Sequence, residues 1–233
     1  MAAFSSFDTR HYPTLAVRDG YREWAASYER TVLDLMDIRL LAALSEVPWQ
    51  DISRAVDLAC GTGRIGRWMR AAGVAAVVGV DFTPEMLSQA EACGAYERLV
   101  LADIEATGLG GGDYPLVIEV LADEHLADLA PFYREAARLA ERGGRFVTVG
   151  YHPHFLMLGI PTHFDRPSGE AVAIEAHVHL MSDHVAAAHR AGLELAEMIE
   201  GVVDDVWIAA KPGWARYRHH PVSFAMVWAK PRW

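Results

Sequence analysis

The sequence predicts an α/β fold, a mostly parallel sheet wound on both sides by helices, and three observations carry that prediction. The first is the stretch Arg54-Ala55-Val56-Asp57-Leu58-Ala59-Cys60-Gly61-Thr62-Gly63-Arg64-Ile65-Gly66, a short apolar strand that runs into a glycine turn and the start of a helix. Ala55 to Leu58 suit a strand buried on both faces. Gly61 and Gly63 permit positive φ and leave no Cβ between the backbone and a ligand. The second is the rhythm downstream. Strands expected near 54–58, 75–80, 97–101, 115–120 and 145–150 alternate with helices expected near 63–72, 84–92 and 127–141, as in a parallel sheet with helical crossovers. The third is Asp81, which closes the second strand 20 residues after Gly61 and can accept hydrogen bonds from the hydroxyls of a ribose.

In chain order, residues 1–18 show no clear period, and His11-Tyr12-Pro13 suggests an ordered but irregular arm. From Asp19, Tyr21, Trp24, Ala25 and Tyr28 recur at helical spacing. Thr31 to Leu44 are expected to continue as helix, with Leu33, Met36, Leu40, Leu41 and Leu44 apolar and Pro48-Trp49 closing it. Residues 1–50 thus read as a helical lid. In the helix after the glycine turn, Ile65, Trp68 and Met69 share one face. Thr83-Pro84-Glu85 is a helix start, with a capping hydroxyl, proline in the first turn and an acid to meet the helix dipole. Gly110-Gly111-Gly112 is a short turn. After Gly150 the rhythm stops, and the aromatic and histidine content of 151–181 argues for an ordered functional segment, a cap over a substrate. Ser182-Asp183-His184-Val185 opens a helix to Ala191 with Gly192 as its stop, and Leu193–Val203 and Val222–Trp228 read as two last strands. The division is a lid at 1–50, a core at 54–150, a cap at 151–181 and a C-terminal helix and strand pair at 182–233, all in one domain.

The bulk properties narrow the function. The hydrophobic fraction is 52% and the charged fraction 22%, ordinary for a soluble globular domain. No apolar run is long enough for a membrane span, and the N-terminus, with Asp8 and Arg10, lacks the apolar segment of a signal peptide. Cys60 and Cys93 form neither a disulfide framework nor a metal-type pair, so a cytoplasmic protein is expected. A net charge of −10 disfavours nucleic acid as partner, even with Arg216, Arg218, His219 and His220 clustered near the end. A monomer or a homodimer is expected.

The glycine turn admits two cofactors. Gly61-x-Gly63-x-x-Gly66 with Asp81 satisfies the dinucleotide fingerprint of a nicotinamide-dependent oxidoreductase. Asp57 argues against it, because a carboxylate four residues before Gly61 repels a pyrophosphate. A ligand with a cationic end and a ribose, such as S-adenosylmethionine (SAM), suits both acids. Asp57-Leu-Ala-Cys-Gly-Thr-Gly63 resembles the first motif of the class I SAM-dependent methyltransferases, usually written D-L-G-C-G-T-G, with Ala59 in place of its first glycine. Val78-Gly-Val-Asp-Phe-Thr-Pro-Glu-Met-Leu87 is similar to their second motif, Leu101-Ala-Asp-Ile-Glu105 to their third, and Glu141-Arg-Gly-Gly-Arg-Phe146 to the turn into their fifth strand. Tyr114-Pro-Leu-Val-Ile118 falls where the family has F-D-L-V, with Pro115 in place of the acid. Tyr21-Arg-Glu-Trp-Ala-Ala-Ser-Tyr28 resembles a Y-x-x-W-A-x-x-Y segment that forms a lid in small-molecule members. The resemblance implies a Rossmann-like, mostly parallel seven-stranded sheet with the last strand antiparallel, SAM as cofactor and S-adenosylhomocysteine (SAH) as product.

Ligands in such sheets bind beyond the carboxyl ends of the strands. The expected cofactor contacts are Tyr21, Asp57, Ala59, Gly61, Gly63, Asp81, Phe82, Met86, Asp103, Ile104 and Glu119. Asp57 would hold the amino end, Asp81 the ribose, Phe82 and Ile104 the adenine faces, and Asp103 the adenine amino group. A base for a small-molecule O–H or N–H acceptor is sought among Glu124, His125, His152 and His154. The acceptor pocket would mix Tyr21, Tyr151, Phe155 and Phe164 with His125, His152, His154 and His163. A metal at His152-x-His154 and His177-x-His179, completed by His163 and Asp165, is the weaker use of the histidines, and no metal is expected. A non-catalytic SAM- or SAH-binding module remains the alternative function.

Overall fold

The computed structural model describes residues 2–32 and 34–232, and at its centre lies a seven-stranded sheet. Its strands are β1 (Ala55–Leu58), β2 (Val77–Asp81), β3 (Arg98–Leu101), β4 (Tyr114–Val120), β5 (Ala140–Tyr151), β6 (Glu194–Val202) and β7 (Pro221–Ala229). The order across the sheet is β6-β7-β5-β4-β1-β2-β3. Neighbours from β3 through to β5 are parallel, and β7 runs antiparallel to both β5 and β6. The expected sheet with its single reversed last strand is therefore present.

Period-two patterning divides the strands between two cores. Leu116, Ile118, Val147, Val149, Ala225 and Val227 face one side, where Met36, Leu40, Leu41, Ile65, Met69 and Trp207 cover them. Val56, Leu58, Val117, Phe146, Phe224 and Met226 face the other, under Phe132, Tyr133, Ala136, Ala187 and Ala188. The main helices are α1 (Val17–Trp24), α2 (Arg64–Ala72), α3 (Pro84–Cys93), α4 (Leu129–Leu139) and α5 (Met181–Arg190). Pro115 sits at the second residue of β4, where the pairing with β5 shifts register between Tyr114 and Leu116. A proline without an N–H is tolerated at such an irregular strand start.

Three expectations change. The continuous helix over 31–44 is replaced by single turns at Tyr28–Thr31 and Ile38–Leu41, and Leu33 lies outside the described residues. The break has a cause in Asp37, which is fully buried, accepts from the N–H of Ile38 and pairs with Arg64. Met36, Leu40, Leu41 and Leu44 are buried all the same. The arm at 1–18 contributes strands: Ala2–Ala3 pairs with His177–Val178, and Thr14–Leu15 joins Ala171–Ile174, which also pairs with His163–Asp165. The cap is thus two small sheets, each shared by the N-terminal arm and the 151–181 segment. Finally, the Thr83 hydroxyl makes no capping bond; Asp81 Oδ1 accepts from the Thr83 N–H at 2.8 Å instead.

Candidate active site

At the carboxyl end of β1 the chain turns through Ala59 (φ +56°), Gly61 (φ +53°) and Gly63 (φ +91°) into α2. Ala59 holds a left-handed conformation that costs an L-residue about 1 kcal/mol, which is why glycine suits this position. A Cβ added at Gly61 would meet nothing within 4 Å; the open space beyond is a cavity of about 260 Å³. Asp81, at the end of β2, holds the turn, because its Oδ2 accepts from the Gly61 N–H at 2.9 Å. Burial raises its pKa, against the hydrogen bonds from the Thr83 and Gly61 N–H groups. Tyr21, Ala59, Gly61, Asp81, Phe82, Met86, Asp103, Ile104 and His125 all line this cavity.

Asp57, Gly63 and Glu119 do not line it. Asp57 is 1% exposed and accepts from the Tyr96 hydroxyl at 2.7 Å. The Tyr96 ring fills the space behind the turn: a Cβ at Gly66 would lie 2.4 Å from it, and one at Gly79 3.0 Å. The third glycine of the motif therefore serves this packing. Burial pushes the Asp57 carboxyl up to about 7, while the Tyr96 hydrogen bond acts in the opposite direction. Gly63 is closed in by Cys93 and Tyr96. Glu119, at the end of β4, accepts from the N–H groups of Ala122 and Asp123 and from the Thr148 hydroxyl. It fixes the turn that follows β4. Burial raises the pKa of Glu119 and of Asp123, and the neighbouring acids push in the same direction.

The lid is fastened by contacts that the motifs did not announce. Glu29 accepts from Thr62 of the glycine turn and from Arg67 Nη2 at 2.7 Å. Gln89 of α3 donates to the Ala25 carbonyl at 2.7 Å, and the Arg18 guanidinium lies 5.0 Å from the Phe82 ring centre. Glu29 and Arg18 carry no motif; an acid and a base on an aromatic helix face were the only signals.

A second cavity, of about 330 Å³, lies against the first, and Tyr21, Tyr28 and Leu121 line both. Tyr151, Phe155, His163 and Phe164 line it, joined by Trp24, Glu124, Thr162, Trp207, Lys211 and Trp214. Between the cavities the Tyr21 hydroxyl lies 2.8 Å from His125 Nε2. His125 Nδ1 is 2.6 Å from the Glu175 carbonyl oxygen, which can only accept, so Nδ1 carries the proton and the neutral ring accepts from Tyr21 at Nε2. Burial raises the Tyr21 pKa well above 10, so its hydroxyl stays protonated. Glu124 Oε1 accepts from Thr162 Oγ1 at 3.0 Å and stands 3.5 Å from His125 Nε2.

His152 and His154 line neither cavity. β5 ends at Tyr151 and Pro153 starts a helical turn, so the alternation that would put both rings on one strand face does not operate. His152 Nε2 meets Glu200 at 2.8 Å, and His154 Nε2 meets His220 at 3.1 Å. Among the described residues no three histidines, cysteines or acids gather as a metal site; His179, for instance, donates to the Leu126 carbonyl at 2.8 Å. No described helix is long and apolar enough to cross a membrane.

Comparison with known proteins gives a consistent picture. Residues 56–148 match the model of a methyltransferase domain family. An S-adenosylmethionine-dependent methyltransferase from Mesorhizobium loti superposes with a TM-score of 0.66 at 25% identity, covering 84% of this chain and 97% of that one. An uncharacterized methyltransferase of Emericella nidulans is 27% identical over 65% of this chain and 60% of its own length. Methyltransferase-like protein 27 of Homo sapiens is 33% identical over 44% of this chain and 46% of its own. The chain thus spans about half the length of these curated relatives.

Proposed function

We propose that this chain, which belongs to the class I SAM-dependent methyltransferases, moves the methyl group of SAM to an oxygen or nitrogen of a small molecule held in the second cavity. The observation that carries this reading is the shared wall: one cavity with the features of a nucleoside site meets one lined by aromatic rings at Tyr21, Tyr28 and Leu121.

The residues of the first cavity fit the cofactor. Asp81 spends one lone pair of each oxygen on a backbone N–H and keeps the others for two ribose hydroxyls. Phe82 and Ile104 offer apolar faces to an adenine, and Asp103 an acceptor for its amino group. Asp57 lies behind the turn, so its part is to bias the potential toward a cationic amino end and against a pyrophosphate. SAM held there would supply a methyl group on a sulfonium, the electron pair of the broken carbon–sulfur bond staying on sulfur as the acceptor takes the methyl, which would leave SAH.

The chain's own work is to align the acceptor and remove its proton. The acceptor hydrogen passes to the Tyr21 oxygen as Tyr21 gives its own proton to His125 Nε2. The resulting imidazolium is held between the Glu175 carbonyl and the Glu124 carboxylate. His125 and Glu124 are thus the base and its support. Calorimetry with SAM and SAH, with NADH as control, tests the reading. Saturable binding of both sulfur nucleotides and none of NADH is expected. Binding of NADH alone would overturn it.

A further inference from the structure

Lys211 is the unusual charge of the second cavity. The chain has two lysines against 19 arginines. Lys230 is satisfied, its Nζ donating to the carbonyls of Ala137 and Ala140 at 2.8 Å. Lys211 lines the cavity, and among the described residues its ammonium has neither an ion-pair partner nor a hydrogen-bond acceptor. Its contact is the face of Trp214, with Nζ 5.1 Å from the ring centre. Trp214 is itself stacked on Trp207 at 4.8 Å and packed against Phe155 at 5.2 Å. Burial lowers the Lys211 pKa, and no neighbouring charge offsets that cost. His163 and Asp165 line the same cavity, but the His163 ring is already tied by Nδ1 to the Pro161 carbonyl at 2.8 Å. A partly desolvated ammonium without a partner is costly unless a ligand supplies the counter-charge.

We propose that the acceptor is a small apolar acid whose carboxylate pairs with Lys211 over Trp214, while a separate hydroxyl or amine of the same molecule is methylated beside Tyr21 and Glu124. The inference rests on the second cavity being the acceptor site. One lysine and no arginine line the cavity, which suits a monoanion better than a phosphate dianion. Six indole, phenol and phenyl rings among the lining (Trp24, Tyr28, Tyr151, Phe155, Phe164 and Trp214) suit a flat apolar body. Glu124 on the turn after β4 and Lys211 beyond β6 carry opposite charges. A carboxylate is drawn to the lysine and repelled by the glutamate, so the acid's own oxygen is not the atom methylated.

The test uses the fluorescence of the cavity tryptophans in the full chain with SAH present. The probes are 4-hydroxyphenylacetate, salicylate and indole-3-acetate, each against its carboxamide. At least one acid is expected to bind tenfold or more tightly than its amide. Lys211→Met should bring the two within about twofold, and Lys211→Arg should keep the preference. With an acid that turns over, Lys211→Met should raise KM more than it lowers kcat, and the product should retain a free carboxylate. Equal binding of acids and amides, no binding of any acid, a preference that survives Lys211→Met, or a methyl ester product would overturn the proposal. Calorimetry with SAH separates the two readings: a wild type that binds no sulfur nucleotide sinks the methyltransferase reading itself, whereas one that binds SAH without preferring acids sinks only this inference.

Discussion

The cavity beside Asp81 and the cavity beside Trp214 share Tyr21 but are built differently. The first takes much of its wall from the turns after successive strands: Ala59 and Gly61 after β1, Phe82 and Thr83 at the end of β2, Asp103 and Ile104 after β3. Backbone N–H groups and left-handed residues do much of the work there. The second is assembled from four separated stretches, around 21–36, 121–124, 151–165 and 207–214, rich in aromatic residues. A site made of turns tolerates little change, because each turn needs particular residues to reach its φ values. A site made of side chains from distant segments can be re-lined without disturbing the sheet, so one cofactor site can serve many acceptors.

The contrast predicts a graded set of effects. Asp81→Ala removes two hydrogen bonds to the turn and, on the proposed cofactor assignment, two charge-assisted ones to a ribose, so SAM affinity should fall on the order of a thousandfold, about 4 kcal/mol. Calorimetry measures this, with circular dichroism to verify the fold, and unchanged affinity in a folded variant would break the division between the cavities. Asp57→Asn comes next. The Asp57 carboxyl is raised to about 7 in the fold from an ordinary value of 3.8. Its contribution is therefore fully present below pH about 4 and is lost as pH rises toward 7. Above pH 7 the asparagine variant should be more stable than wild type by about 4 kcal/mol, with little difference at pH 4. Urea denaturation at pH 4, 6 and 8 measures the trend, and a pH-independent difference would refute the buried-acid account.

Tyr21→Phe probes the shared wall. It keeps the ring and removes the hydroxyl that meets His125. We expect kcat to fall about ten- to a hundredfold while the SAM dissociation constant stays within about threefold. An equal loss in both would assign Tyr21 to the cofactor side alone. The smallest effect is Ala59→Gly, which relieves a positive φ at the cost of a more flexible unfolded chain. A net gain of roughly 0.5 kcal/mol is expected, read as a small rise in Tm.

The legibility of the two sites follows the same division. Asp81, Phe82, Asp103 and Ile104, expected together from spacing and resemblance, line one cavity, because turn chemistry is local. Asp57, Gly63 and Glu119 were drawn by the same motifs toward the ligand, but Tyr96, Cys93 and the turn after β4 occupy them. Nothing near Asp57 in sequence announces Tyr96. His152 and His154 had a suggestive spacing, yet Pro153 ends the strand before that spacing can act. Trp207, Lys211 and Trp214 lie in a loop with no motif, and only folding brings them to Tyr21.

By itself the sequence determined the sheet, its helical crossovers and the glycine turn with its acid, because hydrophobic period, helix punctuation and backbone φ are local properties. The tertiary structure alone decided how the helix expected over 31–44 breaks, that the N-terminal arm and the cap share two small sheets, and which aromatic rings enclose the second cavity. Those outcomes depend on contacts between residues far apart in the chain, such as Asp37 with Arg64 and Tyr21 with His125, and no local pattern encodes which distant partner a side chain will meet.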